Sequence, residues 1–81
     1  MAMRQTVNSH RELAHGDRIR IQYDLAYGPE RNFSEGWTGT YLTTENLGRG
    51  PLARVKADDG GEHRHVNILA SDVRVTKIED A

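Results

Sequence analysis

Two histidines one residue apart, His63 and His65, stand in the segment DDGGEHRHV at residues 58–66. Side chains at i and i+2 of an extended strand project from the same side, so the pair could grip one metal ion. It could also supply half of an acid–base couple, or hydrogen-bond donors on a binding surface. Zinc asks for three or four ligands; the chain has no cysteine, and its other histidines are His10 and His15. Acid–base catalysis needs a nucleophile and an orienting carboxylate gathered in a pocket. Ser34 and Ser71 are present, but no spacing ties either to a histidine and an aspartate. The expectation is no catalytic residue, no resident metal and no cofactor, hence not an enzyme.

What these histidines meet depends on the strand that carries them. Between LARVKA (52–57) and EHRHVNIL (62–69) lies DDGG, a strong hairpin signal, because Asp-Gly and Gly-Gly tolerate the positive φ of tight turns. With Asp59-Gly60 as a two-residue loop, Val55 faces Arg64, Ala53 faces Val66, Lys56 faces His63 and Arg54 faces His65. With Gly60-Gly61 as the loop, Val55 faces Val66, Lys56 faces His65 and Asp58 faces His63. Both registers leave Ala53, Val55, Val66 and Ile68 on one face, the core, whereas a three-residue loop would mix the faces. His63 and His65 therefore share the outer face with Arg54, Lys56 and Asn67, and the cations opposite make a poor metal cage. Arg64 has core parity, so its stem is expected to run past the end of the core and snorkel.

The remaining elements follow the same period of two. In DRIRIQYD (17–24), Ile19, Ile21 and Tyr23 alternate with Arg18, Arg20 and Gln22. LAYGPERNFSEG (25–36) reads as a long loop, and WTGTYLTT (37–44) as a strand in which Gly39 marks a bulge or a close backbone approach. ENLGRGP is a loop with Arg49 between Gly48 and Gly50, lacking the Gly-Lys-Ser/Thr ending of a phosphate-binding loop. ASD makes a tight turn before a last strand, VRVTKI (73–78). SHRELAH could form one helical turn from a Ser9 cap with Glu12 at the capping-box position. The expected organisation is a loose, flexible N-terminal tail over 1–12, a single domain over 13–79 and a C-terminal end at 80–81. The expected fold is all-β, a small five-stranded antiparallel barrel, because closing the sheet hides edges that so small a chain cannot cover otherwise.

The order GDRIRI, GWTGTYL, ARVKADDGGEHRHV and SDVRV resembles the SH3-like β-barrels of translation and transcription proteins, among them KOW-type domains and small ribosomal proteins. The resemblance spans about residues 13–78 and rests on turn glycines and core alternation. It implies an SH3-like barrel that contacts RNA. The chain is similar as well to SH3-like subunits that dock on photosynthetic and redox complexes, which implies a protein partner instead.

Eighty-one residues make one small domain. No apolar run exceeds three residues, as in Ile68-Leu69-Ala70, far short of the roughly 20 residues of a membrane span. The N-terminal stretch lacks the apolar core of a signal peptide. A soluble cytoplasmic chain with no membrane partner is expected, and the absence of cysteine removes disulfides and thiol chemistry. A formal net charge of −1 gives no global attraction for polyanions. The cations Arg18, Arg20, Arg54, Lys56, Arg64, Arg74 and Lys77 lie within strands, however, while most acids lie at turns and ends.

The expected function is thus a non-enzymatic binding module that contacts RNA or another nucleic acid through a local basic face. Arg54, Lys56, Arg64, Arg18, Arg20 and Arg49 would neutralise phosphates, and His63 and His65 would donate hydrogen bonds or stack on bases. The alternative is a protein-docking or self-associating barrel anchored by Tyr27, Phe33 and Trp37, in and beside the long loop.

Overall fold

The computed structural model describes residues 5–24, 34–46, 48 and 50–78. The alternating run becomes strand β2 (Arg18–Tyr23), in which Ile19 and Ile21 are wholly buried while Arg18, Arg20 and Gln22 face outward. It pairs on one side with β3 (Trp37–Asn46) and on the other with β6 (Val73–Lys77). From β3 the sheet continues through β4 (Pro51–Ala57) to β5 (His63–Val66), every pairing being antiparallel. All five expected strands are present in one sheet.

A sixth strand was not expected. Gln5–Thr6 forms β1, which adds to the far side of β6 with Gln5 opposite Lys77 and Thr6 opposite Thr76. Val7 then buries its side chain in the core and donates its N–H to Val75 O at 2.8 Å. Residues 5–12, within the segment expected as a loose tail over 1–12, thus carry a short strand and a buried side chain; residues 1–4 lie outside the described residues. A two-residue strand is too short to show a period, and Val7 is its only apolar cargo. The adjoining 3₁₀ turn, His10–Glu12, starts from Ser9 as expected, with Ser9 Oγ accepting from Arg11 N at 3.2 Å. Glu12 reaches one residue further back than a capping box and accepts from Asn8 N at 3.3 Å.

The strand order is β1-β6-β2-β3-β4-β5. Among the described residues no pairing joins β5 back to β1, so the closed barrel is not observed and two sheet edges remain. The core lies on one face and holds Ile19, Ile21, Tyr41, Ala53, Val55, Val66, Ile68 and Val75, joined by Val7 and Leu13 from the N-terminal segment. Gly39 lets β3 and β4 approach closely beside it. A Cβ there would stand 2.6 Å from Lys56 O and 2.8 Å from Val55 Cγ1, distances no side chain could occupy unless β4 moved. The register shift in this pair comes later, between Tyr41 and Thr43.

The β4–β5 hairpin takes the first of the two registers, with Val55 opposite Arg64 and Lys56 opposite His63. Its loop is longer than the expected two residues. Ala57 N donates to Glu62 O, while Asp58 N turns away to Thr38 O at 3.0 Å, leaving a four-residue turn over 58–61. Gly60 and Gly61 supply the positive φ that this turn requires, 79° and 70°. β5 also ends sooner than expected. Asn67 Oδ1 accepts from Leu69 N and Asn67 O from Ala70 N, so the Asn67 side chain competes with the ladder and starts a turn.

Candidate interaction surface

The outer face of β2–β5 carries most of the residues picked out for binding. Arg18, Thr40, Lys56 and His63 lie side by side across four strands in one row, and Thr43, Arg54 and His65 form the next. Alternation places most of them there: Arg54 and Lys56 lie between the buried Ala53, Val55 and Ala57, and Arg18 and His65 precede the buried Ile19 and Val66.

Several of these cations already hold a carboxylate. Arg18 clasps Asp58 through both terminal nitrogens, Nη1 to Oδ1 at 2.6 Å and Nη2 to Oδ2 at 2.5 Å, and Thr38 Oγ1 donates to Asp58 Oδ2 at 2.6 Å. These bonds from Arg18 and Thr38 hold the Asp58 carboxyl down at about 2, against an ordinary value of 3.8, despite a small opposing push from burial. Glu45 serves two partners. Its Oε1 lies 2.6 Å from Arg54 Nε in an ion-pair contact, its Oε2 accepts from Arg54 Nη2 at 3.2 Å, and Oε1 meets His65 Nε2 at 3.1 Å. Arg20 Nη1 donates to the backbone oxygen of Glu35 at 2.9 Å. Lys56 and His63 are exposed and, among the described residues, neither has an ion-pair or hydrogen-bond partner for its side chain. Arg49 lies outside the described residues.

Arg64 does something different. Its inward parity carries it to the rim of the core, where its guanidinium carbon stands 4.7 Å from the centroid of the Trp37 ring. Glu62 holds the edge of the guanidinium, accepting from Arg64 Nε at 3.0 Å. A cation over an indole face at this distance is stabilising, by about 0.5–2 kcal/mol depending on exposure. Trp37 is half-buried against the core, and its Nε1 donates to Tyr23 Oη at 3.2 Å. Tyr23 is 41% exposed. The expected snorkelling arginine is thus the centre of a surface cluster of Arg64, Trp37 and Tyr23. By alternation Tyr23 shares the parity of the buried Ile19 and Ile21. The signal that it sits on a rim is its place as the last core-parity residue before the long loop. Tyr27 and Phe33, the other expected anchors, lie outside the described residues.

The other histidines are held elsewhere. His15 Nδ1 bonds Leu42 O at 2.9 Å. His10 Nδ1 meets Thr44 Oγ1 at 2.9 Å, and Thr44 Oγ1 meets Tyr41 Oη at 2.5 Å. Burial lowers the His10 pKa below its ordinary 6.5. Among the described residues no three His, Asp or Glu side chains gather where one cation could be held. Two shallow recesses of about 310 and 260 Å³ open beside β1 and β6, one lined by Val7, Ile68 and Leu69, the other by Gln22 and Thr76, with Arg74 in both. Among the described residues no histidine lines either. No helix of the described residues is long and apolar enough to cross a membrane. Comparison of the chain with known protein families, with curated proteins and with solved structures returns no match.

Proposed function

We propose that the protein is a non-enzymatic docking module that presents the Tyr23–Trp37–Arg64 rim to a protein partner. The observation that carries this reading is the Arg64 guanidinium placed over a half-buried indole and hydrogen-bonded to Glu62. Tryptophan, tyrosine and arginine are the side chains that most often dominate protein interfaces. Here three of them are ordered before any partner arrives, which reduces the entropy lost on binding. Charge compensation supports the same reading. Arg18 and Arg54, which a phosphate backbone would need free, are engaged by Asp58 and Glu45. The SH3-like resemblance is compatible with protein and nucleic-acid partners alike and does not choose between them.

A second reading, contact with RNA or another nucleic acid, has its own observation. Lys56 and His63 form an outward rung with no carboxylate on it among the described residues. A lysine beside a histidine gives weak, salt-sensitive binding, with an expected slope of about −0.7 per phosphate contact on single strands.

One experiment separates the two. Wild type and Tyr23→Ser are compared for capture of a partner from native extract at moderate salt, while single-stranded RNA is titrated at low salt in parallel. The docking reading expects a partner that Tyr23→Ser loses with the fold intact, and little RNA affinity. RNA binding abolished by Lys56→Glu, with no protein partner, would replace it by the second reading.

A further inference from the structure

We infer that the free edge of β5 is a strand-addition site for an extended acidic peptide segment. The inference rests on the docking reading and names the chemistry of a partner.

Its basis is the direction of the backbone groups. Ala57 N donates to Glu62 O at 2.8 Å, which makes Ala57–Glu62 a hydrogen-bonded pair. Along an antiparallel ladder such pairs alternate with non-bonded ones. Val55–Arg64 and Ala53–Val66 are then the bonded pairs of β4 and β5, and Lys56–His63 and Arg54–His65 the non-bonded pairs. The N–H and C=O groups of His63 and His65 therefore point away from β4. β5 ends the strand order, and among the described residues no further strand receives them. Both residues are exposed, and among the described residues their four backbone hydrogen-bonding groups remain on one open edge.

The side chains on that edge select the occupant. An antiparallel strand that bonds to His63 and His65 places two of its own side chains, at i and i+2, beside theirs on the outer face. One of these meets the Lys56–His63 rung, which lacks a carboxylate among the described residues. The other meets the His65–Arg54–Glu45 group. A carboxylate at the first position completes the row. The intervening side chain falls on the inner face beside Arg64, toward the Trp37 rim, and is apolar. A second copy of this chain fits poorly, because antiparallel β5–β5 pairing would set histidine against histidine with Lys56 and Arg54 flanking them. The opposite edge lacks such a rung: β1 spans only Gln5–Thr6.

The probe is an end-blocked seven-residue peptide of alternating valine and glutamate. Its controls are the valine–lysine version and two N-methylated copies, one methylated on the glutamates and one on the valines. In the proposed geometry the glutamates bond to the edge, so their N–H groups are needed and those of the valines are not. The expected result is saturable binding in which the His63 and His65 amides shift and become protected from exchange. The lysine peptide and the glutamate-methylated copy should each bind about tenfold more weakly or worse, and the valine-methylated copy should bind within about twofold of the parent. His65→Pro should abolish binding while β2 and β6 keep their exchange protection, because proline is tolerated where a strand N–H faces solvent. No saturation up to about millimolar peptide, equal binding of the lysine version, or binding that survives glutamate methylation would each overturn the inference. So would an RNA oligonucleotide taking the same edge more tightly than the peptide. Any of the first three, with a partner still captured through Tyr23, removes the edge site and leaves the docking reading standing.

Discussion

Adjacent rungs of one hairpin, Arg54–His65 and Lys56–His63, are nearly identical in composition and unlike in electrostatics. Each sets a long cation on β4 against a histidine on β5, on the same outer face. The first is neutralised by Glu45, and the second has no carboxylate among the described residues. The difference originates in β3. Its register shift between Tyr41 and Thr43 brings Thr43 opposite Arg54 and Glu45 opposite Leu52, within reach of both Arg54 and His65. Before the shift, Lys56 has Thr40 opposite, a neutral residue. A one-residue irregularity thus decides which of two similar rungs remains available to a ligand.

The largest test of this comparison is on the backbone beneath it. Gly39→Ala puts a methyl group against Lys56 O and Val55 Cγ1, so β4 must shift away from β3. A loss of about 1–3 kcal/mol in denaturant unfolding is expected; an unchanged midpoint would show that the close approach does not position the rungs.

Next in size is acid stability beside the open rung. Asp58 has its pKa lowered to about 2 from 3.8, so its contribution is present above the ordinary value and is lost as pH falls through the window from 3.8 to about 2. The side chain is 40% exposed, and solvent screening limits the effect to about 0.5–1 kcal/mol. Asp58→Asn should remove that part of the acid transition and weaken the protein at pH 7 by the same amount. Identical acid profiles for wild type and variant would count against the Arg18–Asp58–Thr38 network.

Glu45→Gln makes the closed rung resemble the open one. Stability should fall by at most about 0.5 kcal/mol, since the pair is partly exposed. The slope of single-stranded RNA binding against log salt should steepen by about 0.7 for each cation released. A slope equal to that of wild type would mean that Glu45 does not screen this face.

Lys56→Gln should be the mildest change in stability, within about 0.5 kcal/mol, because this side chain has no described partner to lose. Its effect should be confined to binding of anionic ligands. A larger drop in unfolding midpoint would show that Lys56 has a structural role.

Much of the scaffold was readable from residue order because a strand repeats every two residues. Ile19 and Ile21, and Ala53 and Val55 with Val66 and Ile68, announce their face by alternation and are buried as expected. Asp-Gly-Gly announces the turn by backbone tolerance, although the exact closure depended on Asp58 N finding Thr38 O. Where the pattern runs out, the reading weakens for a physical reason. Val7 is one apolar residue in a polar segment, and only the open side of β6 gives it somewhere to pack. Tyr23 keeps core parity but sits at the end of the core, and parity does not record how far the core extends.

The candidate surface divides along the same line. Parity along the chain determined that His63, His65, Arg54 and Lys56 share the outer face, because shifting any of them inward would invert the whole strand and expose the core. Which of them stays free was decided only by tertiary structure. Charge pairing depends on lateral neighbours, and those come from distant parts of the chain: Asp58 to Arg18 across 40 residues, and Glu45 to His65 across 20. The meeting of Arg64 with Trp37 belongs to the same class. Short-range order orients a side chain, whereas its partner is set by how the strands stack.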